Sequence, residues 1–149
     1  MRPSAEVARC SAQLVRYANT TVPEGIRSAV HAIAADIGVL DLRRADPAKY
    51  VGIVLFDGFS GREEEANGVL ANIAPMLAFV GASAGDGFTF SSTSVFANGV
   101  ETDNGVALLL LEAAAPFTIG RIDEAQKVLG APVAGGLAFN QTLTALWFA

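Results

Sequence analysis

Apolar residues recur along this chain with two different periods, and the change from one to the other divides it. Over residues 20–38 the period is helical. Thr20-Thr21 and Pro23 supply a start signal with proline in the first turn, and Ile26, Val30, Ile33 and Ile37 form one narrow stripe that ends at Gly38. Residues 4–18 are expected to form an earlier helix, with Val7, Leu14 and Val15 facing inward. Asp46-Pro47 marks a turn, and the run from Tyr50 to Asp57 is continuous enough to predict a strand buried on both faces. Ser60-Gly61-Arg62-Glu63 has capping-box spacing, which predicts a second helix with Ala66, Val69, Leu70, Ile73 and Leu77 inward and Pro75 near its end. Met76 to Gly81 then reads as a short buried strand running into a loop, Gly81 to Asp86.

Beyond Gly87 the period becomes two. Phe88 and Phe90 share one face, with Thr89, Ser91 and Thr93 opposite. Asn98-Gly99 is a two-residue hairpin signal, and Asp103-Asn104-Gly105 a second turn before a strand from Val106 to Leu111. A short helix is expected over Asp123 to Leu129, a loop from Gly130 to Gly136, and a β-rich tail in LAFNQTLTALWFA. The order implies an α+β fold in the broad α/β class, a mixed sheet with an antiparallel meander, covered by helices. At 149 residues the chain is expected to be a single domain, residues 1–149.

Composition narrows the function. The chain is 52% hydrophobic and 17% charged, yet no stretch approaches the roughly 18–20 apolar residues of a membrane span. An apolar surface that meets another copy is the expectation, so a homo-oligomer is predicted. Net charge is −5, and the one basic pair, Arg43-Arg44, is flanked by Asp41 and Asp46, which disfavours nucleic acid. One cysteine, Cys10, excludes an intramolecular disulfide. The first 15 residues have no continuous apolar segment, so a cytoplasmic location is expected.

Two chemistries compete at Gly81-Ala82-Ser83-Ala84-Gly85, which matches the G-x-S-x-G pattern of a serine-hydrolase elbow. The elbow requires a helix after the serine and a histidine later in the chain. Here Gly85-Asp86-Gly87 and an alternating stretch follow, and the sole histidine, His31, lies upstream. His31 projects roughly 125° from the middle of the apolar stripe, toward solvent. Lys49 and Lys127, the partners that Ser-Lys chemistry would need, are not brought near Ser83 by any pattern. Glu63-Glu64-Glu65 fits the amino end of a helix. No zinc spacing or phosphate-loop lysine is present, and no metal site is assigned. Asp57-Gly58-Phe59-Ser60, at the end of a strand and the start of a helix, and the Gly81–Asp86 loop are the two candidate binding segments.

The stretch from Val51 to Phe117 resembles the FIST family of intracellular sensory domains, found beside kinases, cyclases and F-box modules. Asp57-Gly58-Phe59-Ser60-Gly61 with Glu63-Glu64 carries the first resemblance. Gly81, Ser83, Ala84, Gly85 and Asp86 carry the second, and Phe90, Thr93, Val95-Phe96 and Asn98-Gly99 the third. Residues 118–149 make up the tail, in which Asn140-Gln141-Thr142 is similar to the end of the family's carboxyl-terminal half, as in a compressed or truncated member. The resemblance implies a non-enzymatic domain that binds a small ligand, such as an amino acid, and relays it to a signalling partner. The ligand-binding residues expected are Asp57, Gly81, Ser83, Gly85, Asp86 and Thr93, with Asp86 on an ammonium group and loop amides on a carboxylate. Some relatives resemble haem-dependent nitric-oxide sensors, but His31 and Cys10 lie outside the matching motifs, so no haem ligand is assigned and no cofactor is expected. A ligand-free assembly domain is the alternative function.

Overall fold

The computed structural model describes residues 7–85, 92–121 and 144–148. Its centre is a four-stranded sheet in the order β1-β6-β2-β3, formed by β1 (Val7–Arg16), β2 (Tyr50–Asp57), β3 (Ala78–Ala84) and β6 (Gly105–Ala113). β6 pairs antiparallel with both β1 and β2, while β2 and β3 run parallel. Parallel neighbours need a crossover, and helix α2 (Glu63–Ile73) supplies it. Parallel and antiparallel pairs therefore share one sheet with two helices, the α+β arrangement that the period changes imply.

Helix α1 (Val22–Asp36) begins where Thr21 accepts a hydrogen bond from the Glu24 amide, with proline in its first turn. Its stripe of Ile26, Val30 and Ile33, continued by Ile37, is buried. That stripe packs with Ala66, Val69 and Leu70 of α2 against the sheet face carrying Val54, Phe56, Val106, Leu108 and Leu110. α2 ends at Ile73, just before Pro75, and Leu77 is buried beyond the helix rather than on it. β2 is buried on both faces through Val51, Val54 and Phe56, although Leu55 remains 43% exposed.

The first helix is a correction: residues 7–16 form β1, an edge strand paired with β6 along its length. Its side chains do alternate. Arg9, Ser11, Gln13 and Val15 stand beside Glu112, Leu110, Leu108 and Val106, on the face that the helices cover. Arg9 ion-pairs with Glu112 at 2.6 Å, and Ser11 donates to Asp36 at the end of α1 at 2.6 Å. Alanines and polar residues with fair helix propensity mask this period, and pairing with β6 overrides propensity.

The capping box is a second correction. Ser60 stands ahead of the helix, separated from it by Gly61 in the left-handed region (φ +61°), and its hydroxyl donates back to the Asp57 carbonyl at 2.8 Å. Arg62 is the N-cap residue and makes no side-chain capping bond. The Gly81–Asp86 loop is a third: residues through Ala84 belong to β3, in register with β2.

β4 (Val95–Ala97) and β5 (Val100–Thr102) form the hairpin that Asn98-Gly99 predicts, both turn residues having positive φ. The hairpin stands as its own two-stranded ribbon instead of running on into β6 as a meander. It is tied to β1 by the Asn98 side-chain amide, which donates to the Ala12 carbonyl at 2.8 Å, and by Arg16, which donates to the Glu101 carbonyl. β7 (Phe117–Arg121) pairs antiparallel with β8 (Thr144–Phe148), so the tail is a strand where it is described. The expectations for Phe88, Phe90, Asp123–Leu129, Gly130–Gly136 and Asn140–Thr142 lie outside the described residues.

Ile26 is fully buried between the helices and the sheet. Ile26→Ala is expected to cost about 2–5 kcal/mol of folding stability, read from urea unfolding.

Candidate functional site

β2 and β3 both end at one edge of the sheet, and the chain passes from β2 into α2 through Gly58 to Arg62 at that edge. Open α/β sheets offer ligands a place beyond the carboxyl ends of parallel strands. Asp57, the last residue of β2, is 1% exposed. A buried carboxylate requires hydrogen-bond partners, and it has them. Its Oδ1 accepts from the Phe59 amide at 3.1 Å and from the Thr93 hydroxyl, while Thr93 is itself buried. The first bond closes an Asx turn. The second fastens the segment before β4 to the end of β2. Asp57 and Thr93 are thus brought together as expected, but as each other's partners.

Gly58 is required by packing. A Cβ there would overlap the Ala84 carbonyl oxygen, so the β2–α2 turn lies flat on the end of β3. Gly81 has the same kind of constraint, since a Cβ would strike the Val54 carbonyl of the paired strand. Gly81 is therefore a close-approach residue within the sheet, and half of the amides from Gly81 to Ala84 turn toward β2. Only Gly85 lies beyond the strand end, and it is exposed with open space about it. Asp86 lies outside the described residues.

Ser83 stands in register with Phe56, on the sheet face that the helices cover. Its hydroxyl donates to Glu63 Oε1, at the start of α2, at 3.0 Å. No imidazole reaches it: His31 is exposed on α1, as expected. Lys49 precedes the opposite end of β2, about 20 Å away at strand rise. A hydrolase elbow places its serine on a sharp turn into a helix, whereas Ser83 is inside a strand.

On the other side of the same edge lies a cleft of about 440 Å³, lined by Ala84, Gly85, Ser92, Thr93, Ser94, Glu101 and Asp103. Among the described residues its lining holds two carboxylates and three hydroxyls and no lysine or arginine. Such a lining favours a positively charged group. Glu101 and Asp103 are not legible as site residues in the sequence, because they come from the far strand and exit turn of the hairpin. Among the described residues, no group of three or more His, Cys, Asp and Glu side chains could hold a metal ion.

Tyr17 is a third residue that sequence reasoning misses. Two positions after Val15, it continues the alternation of β1 on the helix-covered side, its amide bonded to the Asn104 carbonyl and its side chain packed against the core. Burial pushes its phenol up to about 12, and the nearby Glu63, Glu65 and Asp57 carboxylates add to the shift. Its hydroxyl is buried without a hydrogen-bond partner.

A family model described as the FIST N domain matches residues 4–127. The match reaches well beyond the 51–117 resemblance, taking in β1 and α1. No curated protein and no solved structure matches the chain.

Asp57→Ala is expected to lower stability by about 3 kcal/mol, and Thr93→Val by about 1–2 kcal/mol, in urea unfolding. The phenol of Tyr17 gives an alkaline signature. Unfolded chains lose this proton near the ordinary tyrosine value of 10.0, the folded protein only at about 12. Stability is therefore expected to fall as pH rises through that window, because the unfolded state holds fewer protons. Tyr17→Phe should remove this part of the fall in a pH series of unfolding curves.

Proposed function

Because the chain belongs to the FIST family, a family of sensory domains of signalling proteins, we propose that it is a non-enzymatic sensor of a small amine-bearing ligand. An amino acid or similar metabolite fits the reading. The cleft beside Thr93 and Gly85 receives the ligand's ammonium group, and a signalling partner reads the bound state. The observation that carries this proposal is the lining itself, in which Glu101 and Asp103 share one opening of about 440 Å³ with Ser92, Thr93 and Ser94. The cleft adjoins the Asp57–Thr93 pair, in which the Thr93 hydroxyl donates to the buried Asp57 carboxylate.

In this reading the ligand's ammonium group sits at Glu101 and Asp103, whereas Asp86 lies outside the described residues. Strand amides from Gly81 to Ala84 are a poor cradle for an anion, and the facing side chains prefer a cation. Asp57 acts from behind, holding Thr93 at the cleft wall, and Gly85 adds no side chain of its own to the opening. Ser83 faces the other side of the strand ends and touches a ligand only if that ligand spans the edge. No helix among the described residues is long and apolar enough to cross a membrane.

Assembly is a second reading with an observation of its own. Phe96, Leu55 and Val100 are 61%, 43% and 43% exposed, and β1 leaves one edge of the central sheet without a neighbouring strand among the described residues.

A thermal-shift series with amino acids, diamines, short carboxylic acids and haemin separates these readings. Amine-bearing compounds should raise the unfolding midpoint by mass action, and Asp103→Asn with Glu101→Gln should abolish the rise. A rise with carboxylic acids alone, or one that survives the double substitution, would overturn the amine reading. A flat series together with concentration-dependent light scattering would favour assembly.

A further inference from the structure

The free edge of β1 borders a cleft of about 520 Å³ that the amine reading does not use. Ser28, Ala29 and Ala32 of α1 form one wall, Ala97 and Val100 of the hairpin the other, and residues 13–16 of β1 lie between. The direction of the β1 backbone follows from two bonds. The Tyr17 amide donates to the Asn104 carbonyl, so the odd-numbered residues of β1 point their backbone groups at β6. Alternation turns those of Ala12, Leu14 and Arg16 outward. The Asn98 side-chain amide agrees, donating to the Ala12 carbonyl from outside the sheet at 2.8 Å. The Arg16 carbonyl is also occupied, by the Asn19 amide at 3.1 Å. Between these two, Leu14 has neither its amide nor its carbonyl bonded among the described residues. Such an edge is a template for one more strand.

We infer that this cleft docks a short extended peptide of a partner protein, added antiparallel to β1 and centred on Leu14. One peptide residue exchanges both hydrogen bonds with Leu14. At Ala12 and Arg16 only the amides are open, so the added strand is short. Charge selects its sequence. Arg16 is the one charged residue in the lining among the described residues, and a single contact of its guanidinium, with the Glu101 carbonyl at 3.2 Å, leaves N–H groups for an acid. Leu14 and Arg16 stand two residues apart and share a face. The peptide therefore sets an apolar residue beside Leu14 and an acidic one beside Arg16, the acid two positions earlier in its chain. A second copy's β1 fits poorly. VARCSAQLVR brings two arginines and no carboxylate, and pairing along its length would call on the two occupied carbonyls. The peptide's role in reading out a ligand rests on the sensor proposal, since Val100 of this wall directly precedes Glu101 of the amine cleft. Docking itself needs no amine.

Fluorescence anisotropy on the whole chain, with no amine present, tests this with capped seven-residue peptides. The probe carries Glu-Thr-Val at its centre, and a comparison peptide has lysine in place of the glutamate. The glutamate peptide should bind the more tightly. Methylating its valine amide should weaken binding by roughly tenfold or more, because that amide bonds Leu14. Methylating the threonine amide, which points away from β1, should leave binding level. Arg16→Glu should invert the preference between the two peptides, and Arg16→Gln should flatten it. Binding that ignores which amide is methylated, or a preference that Arg16→Glu leaves unchanged, would overturn the proposal. So would the absence of binding at millimolar peptide, with light scattering then deciding whether a second copy covers the edge. If the peptide binds as expected while no amine raises the unfolding midpoint, docking stands and the sensor reading fails. If amines bind and no peptide does, only the docking falls.

Discussion

The buried carboxylate of Asp57 is the constraint on which the strand-end architecture depends. A charge that is 1% exposed is tolerable only while its hydrogen bonds are made. Those bonds come from two directions, the Phe59 amide within the β2–α2 turn and the Thr93 hydroxyl ahead of β4. One side chain therefore fixes how the chain leaves β2 and where the hairpin begins. The cleft wall at Ser92, Thr93 and Ser94 is placed by that second bond. Removing it would disturb the shape of the cleft without touching its carboxylates.

Parallel pairing of β2 and β3 imposes the next requirement. The two strands must end together, and the turn into α2 must cross the end of β3 closely enough that no side chain fits at Gly58. This close passage also sets Glu63, the first residue of α2, within reach of Ser83. Gly58, Gly81 and Ser83 of the two segments thus pack two strand ends against each other and against one helix start.

Legibility in the sequence followed the physics of each element. α1 was readable because its apolar stripe, proline and terminal glycine agree, and the hairpin because Asn98-Gly99 suits positive φ at both positions. β1 was not, since Ala, Ser and Gln satisfy either period and the pairing that decides the matter is with β6, nearly a hundred residues later. The capping box failed for a local reason: Gly61 turns the chain once more before the helix starts, leaving Ser60 to bond backward. Asp57 and Thr93 were legible as important residues but not as partners, because 36 residues separate them. Glu101, Asp103 and Tyr17 belong to no local motif, and only the fold brings them to the strand ends.

Sign of charge decides between the ligands that such an edge could hold. Helix amino ends usually favour anions through their free amides and dipole. Here three glutamates in succession occupy the first turn of α2, and the cleft on the other side of the edge adds Glu101 and Asp103. Arg62, the one arginine at this helix start, is drawn toward Glu65. The field at the strand ends is therefore negative on both sides of the sheet. The two sides of the strand ends thus differ in kind, with an acidic and hydroxyl-rich cleft on one and the half-buried Tyr17 phenol on the other.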